Sequence, residues 1–174
     1  MKTATFAGGC FWCIESAYNR LAGVHSAISG YTGGPGANPS YKEVCGGRSG
    51  HVEAVQIRYD PAQIDYDTLL RAFFALHDPT TLNRQGNDIG PQYASVLFYH
   101  DEEQRQAAER KLADLAGDYP APIVTRLEAA APFYPAEDYH QQYFDQHGHE
   151  PYCQMVVAPK LAKFQQHFSV YLKK

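Results

Sequence analysis

Two thiols three residues apart, Cys10 and Cys13, bracket the aromatic pair Phe11-Trp12 and follow the glycines Gly8-Gly9. The run sits where a short extended stretch, residues 2–7, gives way to Phe11, Ile14, Tyr18 and Leu21 at helical spacing, with Gly23 as a stop. A cysteine at a helix start meets unpaired backbone N–H groups and the positive end of the dipole, which lower a thiol from its free pKa of about 8.5. Cys10 is therefore expected to be a thiolate at neutral pH, with the glycines leaving its sulfur open to a substrate. A cysteine beside aromatic rings can instead be buried and inert. The glycines and the second thiol weigh against that.

A carboxyl group and several phenols are candidates to join it. Residues 51–59 read as a strand in which Glu53 shares a face with Val55, Ile57 and Tyr59. A Glu aimed at a core is costly when charged and unpaired, so its pKa rises and it becomes a proton donor. At the frayed start of the strand it would be solvated and inert, and parity alone leaves both readings open. Tyr41 follows a Gly/Pro-rich loop, residues 32–40, and a polar loop over 80–93 carries Asp88 and ends at Tyr93. Loops this long inside a compact domain are functional or disordered, and the helix and strand that bracket this one favour function. A turn-forming Asp and a packing Tyr remain the simpler readings of either residue taken singly.

A nucleophilic thiol, a protonated carboxyl, hydroxyl donors and an aromatic surface suit attack on a centre whose oxygen must leave. A sulfoxide fits: its oxygen leaves only once protonated, by Glu53, with the Tyr41 and Tyr93 hydroxyls around it and Phe11 and Trp12 offering apolar surface to a methyl group. Attack leaves Cys10 as a sulfenic acid, a second thiol condenses it to a disulfide, and an external dithiol restores the enzyme.

The rest of the chain must position these groups. Its 174 residues suit one domain, 1–174, with 44% hydrophobic and 20% charged residues typical of a soluble globular protein. A net charge of −4 gives no reason to expect nucleic acid or an anionic membrane as partner. No apolar run is long enough to span a bilayer and no secretory signal opens the chain, so a cytoplasmic protein is expected, with monomer as the default. Four cysteines are too few for a disulfide scaffold. Strands are expected at 24–31, 94–99 and 123–128, helices at 67–77, 101–117, 137–144 and 160–171, and irregular chain over 41–47. Together they predict an α+β fold: a two-layer sandwich with a ferredoxin-like core, a mixed sheet with helices, long irregular loops and C-terminal coil around Cys153.

Several runs resemble one family. Gly9-Cys10-Phe11-Trp12, Tyr41-Lys42-Glu43-Val44-Cys45, His51-Val52-Glu53 with Tyr59-Asp60-Pro61, residues 86–93, and Tyr134-Pro135-Ala136-Glu137-Asp138-Tyr139-His140-Gln141 are similar, in order, to peptide methionine sulfoxide reductase A. The resemblance spans nearly the whole chain. It implies a catalytic domain reducing methionine S-sulfoxide, free or in proteins, with thioredoxin as the reductant and no bound cofactor or metal. Carried over residue by residue, it makes Cys10 the nucleophile, Glu53 the acid, Tyr41 and Tyr93 the oxygen-binding phenols, Asp88 a supporting carboxylate, and Phe11 and Trp12 the methyl-binding aromatics. Many members have Gly where this chain has Cys13, and a Gly-rich tail where it has Pro151-Tyr152-Cys153 followed by a helix. The resolving thiol is therefore Cys153, which matches the family's tail cysteine in flexible-looking chain, or Cys13, which can close a CxxC on itself. Cys45 reads as structural.

Two other classes compete. A zinc module built from Cys10, Cys13 and His140, His147 and His149 lacks a second CxxC or a His-x₃-His spacing. A thioredoxin-type disulfide oxidoreductase would share the strand, CxxC and helix, but Phe11-Trp12 is bulky for it and the regular βαβ rhythm is missing.

Overall fold

The computed structural model describes residues 1–174. Strand β1 (Lys2–Ala7) leads through Gly8-Gly9 into α1 (Phe11–Asn19), and β2 (Val24–Thr32) and β3 (Val52–Tyr59) flank a short α2 (Tyr41–Cys45). Helix α3 (Tyr66–Leu76) follows. The next loop folds into a two-stranded ribbon, β4 (Arg84–Gln85) and β5 (Asp88–Ile89), and a 3₁₀ turn (Pro91–Tyr93). Strand β6 (Val96–Tyr99), α4 (Glu102–Leu115), β7 (Arg126–Ala129) and β8 (Phe133–Pro135) complete the sheet.

The large sheet has the order β7-β6-β1-β3-β2-β8, antiparallel throughout except for the parallel β6–β7 pair. It is therefore mixed, as expected. Alternation sends Val55, Ile57 and Tyr59 of β3 into a core shared with Phe6, Ile14, Tyr18, Leu69 and Phe73, while Val52 and Ala54 join a smaller cluster with Val96 and Phe98. Each fully buried Leu, Ile or Phe of the larger core contributes about 2 kcal/mol by leaving water.

Three expected boundaries give way to local chemistry. Residues 41–47 were expected to be irregular, but Ser40 and Glu43 form a capping box and close helix α2 over Tyr41–Cys45. The expected helix over 137–144 is broken: a 3₁₀ turn (Asp138–His140) and α5 (Tyr143–His147) meet at Gln142, whose φ of 53° is left-handed. The expected C-terminal coil is helical. Pro151 and Tyr152 begin a run that passes through a π segment (Cys153–Val157) into α6 (Ala158–His167). Cys153 thus sits on a helix, fully buried, rather than on flexible chain.

Candidate active site

The glycine turn places Cys10. Gly9 has φ +88°, and a Cβ there would stand 2.5 Å from Gln85 Cγ, so only glycine fits both the backbone and its neighbour. Gln85 is held in turn: its amide accepts from the Asp78 N–H at 2.9 Å and donates to the Asp78 carbonyl at 2.5 Å, which docks the ribbon loop onto the turn. Cys10 becomes the N-cap of α1 in an extended conformation, with no side-chain cap of its own. The cap comes from β3. Glu53 lies beyond the last β1–β3 pair, Phe6–Val55, and its Oε1 accepts from the Phe11 N–H at 3.2 Å.

Glu53 is 2% exposed, which decides between the two readings that parity left open: it points inward. Burial, with the neighbouring Cys10 thiol next in importance, raises its pKa well above the usual carboxylate value, which favours the protonated acid. Oε1 takes the Phe11 amide and Oε2 is left to offer the proton. Glu53, Cys10, Phe11, Trp12, Tyr41, Asp88 and Tyr93 line one cavity of about 330 Å³. Every first-rank residue of the sequence reading is in that wall. Burial and then hydrogen bonding to Cys45 raise the Tyr41 pKa, while burial and the Glu53 charge raise that of Tyr93. Both phenols stay protonated and able to donate.

The expected Cys10 thiolate is a correction. Burial is the largest influence and pushes its thiol well up, and the adjacent Cys13 sulfur adds to the shift. Cys13 moves the other way, because it accepts the hydrogen bond from Cys10, with Lys160 assisting. Desolvation outweighs the helix terminus at Cys10, so its thiol form is favoured. Cys153 packs against both, so the two candidate resolving thiols lie in one apolar cluster with Cys10 and Val157. Cys45 is half-buried outside that cluster.

Three further residues line the cavity: Tyr143, Glu150 and Tyr152. The Tyr152 hydroxyl donates to Asp88 Oδ2 at 2.6 Å and also reaches Cys10. Tyr143 stacks on Trp12 at 3.8 Å and 8°, and its hydroxyl donates to Glu150. Trp12 is held from the other side by its indole N–H, which donates to His140 Nδ1 at 3.1 Å. Sequence reasoning missed these residues because Glu150 and Tyr152 come from the segment read as coil and Tyr143 from an expected helix that gave no sign of facing the thiols. The available signals were Tyr143, one helical turn after His140, and the Tyr152-Cys153 pair. Glu137 was also missed. It accepts from the Tyr31 hydroxyl at 2.9 Å and the Tyr41 N–H at 3.1 Å, fixing where α2 starts. The zinc arrangement is not assembled: His140 is buried against Phe11 and Tyr41, His147 faces Glu150, and no group of three potential ligands is placed to hold a metal ion.

Glu15, one helical turn behind Trp12, anchors the break at Gln142. Its two carboxyl oxygens accept from the Gln142 N–H at 3.0 and 2.8 Å, and Ser29 Oγ donates to Oε1 at 3.3 Å. Burial raises its pKa from 4.5 to about 7 against those hydrogen bonds, and Asp145, itself paired with Arg20, adds to the rise. A raised pKa means stability that is full below about pH 4.5 and lost as the pH climbs through about 7, about 3 kcal/mol in all. Glu15→Gln does not titrate. Urea melts should therefore show the variant gaining stability relative to the parent chain as pH rises from 4.5 to 7.5, and a pH-independent difference would refute this assignment.

Comparison with known proteins agrees along the chain. A family model described as "Peptide methionine sulfoxide reductase" matches residues 2–171. A curated relative from Chromobacterium violaceum, "Peptide methionine sulfoxide reductase MsrA", is 57% identical over 99% of each chain. The crystal structure of Mxr1 from Saccharomyces cerevisiae in reduced form superposes with a TM-score of 0.80 at 35% identity, covering 87% of this chain and 88% of the yeast one. The same yeast protein in complex with Trx2 gives 0.57 at 26% identity, covering 82% and 84%.

Proposed function

The chain belongs to the peptide methionine sulfoxide reductase family, and we propose that the cavity at Cys10 is where it carries out the thiol-dependent reduction of methionine S-sulfoxide. The observation that carries this reading is the buried Glu53, which lines one cavity with the buried Cys10 and whose burial favours its acid form. A charged carboxylate there would repel the sulfoxide oxygen. A carboxylic acid donates to it.

As the Cys10 sulfur attacks the sulfoxide sulfur, Glu53 protonates the oxygen while Tyr41 and Tyr93 donate hydrogen bonds to it, and the Cys10 thiol proton returns to the Glu53 carboxylate. The S–O bond of the substrate breaks and methionine leaves. Cys10 has lost two electrons and carries the oxygen as a sulfenic acid. A second thiol then attacks it, water leaves and a disulfide forms. Two electrons from an external dithiol return the site to its thiol state, so the cycle balances without a bound metal or cofactor. The yeast relative's complex with Trx2 supports thioredoxin in that role. Phe11 and Trp12 supply the apolar wall for the substrate methyl group, and Asp88 holds the Tyr152 hydroxyl at Cys10.

The resolving thiol is Cys153 in this reading, with Cys13 as its alternative; both pack against Cys10. With thioredoxin and excess sulfoxide, Cys153→Ser should release one methionine per chain and stop, while Cys13→Ser keeps cycling. The reverse pattern would transfer the role to Cys13. We further take 1–174 as one catalytic domain, acting as a monomer in the cytoplasm without nucleic acid or membrane partners. The four free thiols support a reducing compartment, and no helix is long and apolar enough to cross a membrane. The succession β1-α1-β2-β3-α3-β6 with the strand order β6-β1-β3-β2 supports a ferredoxin-like, two-layer core.

A further inference from the structure

A second, larger concavity of about 1030 Å³ adjoins the catalytic cavity, and two residues, Asp88 and Tyr152, line both. Their 2.6 Å hydrogen bond is the partition between the two spaces. On the far side part of the wall is apolar, with Phe74 and Leu76 of α3 and Val156 and Phe168 around α6. Above them stand Arg71 of α3 and Lys160 and Lys163 of α6.

The charges of this groove are unequal in kind. Its carboxylates are engaged locally: Asp78 accepts from the Thr80 N–H at 2.9 Å and hydroxyl at 2.6 Å, and Asp88 from Tyr152. Two of its three cations are not: none of the chain's ion pairs involves Lys160 or Lys163. Arg71 is held, donating to the Tyr171 hydroxyl at 2.8 Å, lying over that ring at 5.3 Å and meeting Asp67 at 3.9 Å. In a chain of net charge −4, this is a locally positive, partly apolar trough that opens onto the nucleophile's cavity past one hydrogen bond. Its volume exceeds that of the cavity that would take the sulfoxide side chain.

We propose that the groove holds the polypeptide flanking an oxidised methionine, and that it favours acidic segments, whose carboxylates meet Lys160 and Lys163 while apolar residues rest on Phe74 and Phe168. The proposal rests on the reading that the Cys10 cavity reduces methionine sulfoxide, and it adds where the rest of a protein substrate lies. Asp88 and Tyr152 then form the sill over which the side chain enters.

The test compares free methionine sulfoxide with two peptides of one sequence, in which the sulfoxide is flanked by Glu or by Lys, on the parent chain and on Lys163→Glu and Lys163→Ala. Lys163 is exposed and outside the catalytic wall, so both variants should fold and reduce free methionine sulfoxide as the parent does. The parent should prefer the Glu peptide by about fivefold in KM at low salt, with kcat unchanged. Lys163→Ala should shrink that preference and Lys163→Glu should cancel or invert it. Equal KM values for the two peptides, or a preference that survives Lys163→Glu, overturns the proposal. If Lys163→Glu leaves both peptides unaffected but raises the KM for thioredoxin, the groove serves the reductant and the proposal is likewise wrong. Failure of the parent to reduce free methionine sulfoxide would instead strike at the functional reading itself.

Discussion

Replacing Cys10 with serine abolishes methionine sulfoxide reduction, with kcat/KM falling by about 10⁴-fold or more. The reason is electronic as well as geometric. The two electrons that break the S–O bond come from the Cys10 sulfur, which can carry the transferred oxygen as a sulfenic acid, whereas a serine oxygen has no comparable oxidised state. The variant should nevertheless fold. Position 10 is the N-cap of α1 in an extended conformation with no side-chain cap, and serine is a preferred residue there. Cys10→Ser is thus expected to melt at or above the temperature of the parent chain while being inactive. Residual turnover above about 1% of the parent rate would refute the role assigned to this sulfur.

Glu53→Gln should lower kcat by about 10²- to 10⁴-fold with the fold intact. Glutamine keeps the acceptor for the Phe11 N–H and fills the same buried space, but it has no acidic proton. The pH profile gives the sharper readout. Burial raises the Glu53 pKa, so the acid form is present at low and neutral pH and is lost as the pH rises through the raised value. The parent chain's kcat should therefore fall on the alkaline side, and that limb should be missing in Glu53→Gln. A parent profile that keeps rising with pH, or a glutamine variant with the parent's alkaline limb, would remove Glu53 as the acid.

The legible part of this molecule was the part whose signals are local. Period-two alternation in β3 placed Glu53 on the face of Val55, Ile57 and Tyr59, glycines marked the turn before Cys10, and the length of the loop after α3 marked Asp88 and Tyr93; Cys10, Glu53, Asp88 and Tyr93 reach one cavity. What stayed hidden depends on contacts distant in sequence. Tyr152 matters because it meets Asp88, 64 residues away, and Gln142 breaks an expected helix because Glu15, 127 residues away, accepts its N–H. The Cys10 protonation state was misjudged for a similar reason: the helix terminus is visible in the sequence, but the packing of Cys13, Cys153 and Val157 that desolvates the sulfur is not. The Ser40–Glu43 capping box, by contrast, was a local signal and could have been read.

The Cys10 sulfur is the atom that takes the oxygen in this mechanism. The most direct test uses the Cys13→Ser, Cys153→Ser double variant, in which neither candidate resolving thiol can trap the intermediate. It is mixed with one equivalent of methionine S-sulfoxide without reductant, and the Cys10 peptide is weighed by mass spectrometry. One methionine should be released per chain, with a Cys10 peptide heavier by one oxygen atom. Methionine released while the Cys10 peptide stays unchanged, or an added oxygen found on Cys45 instead, would contradict it.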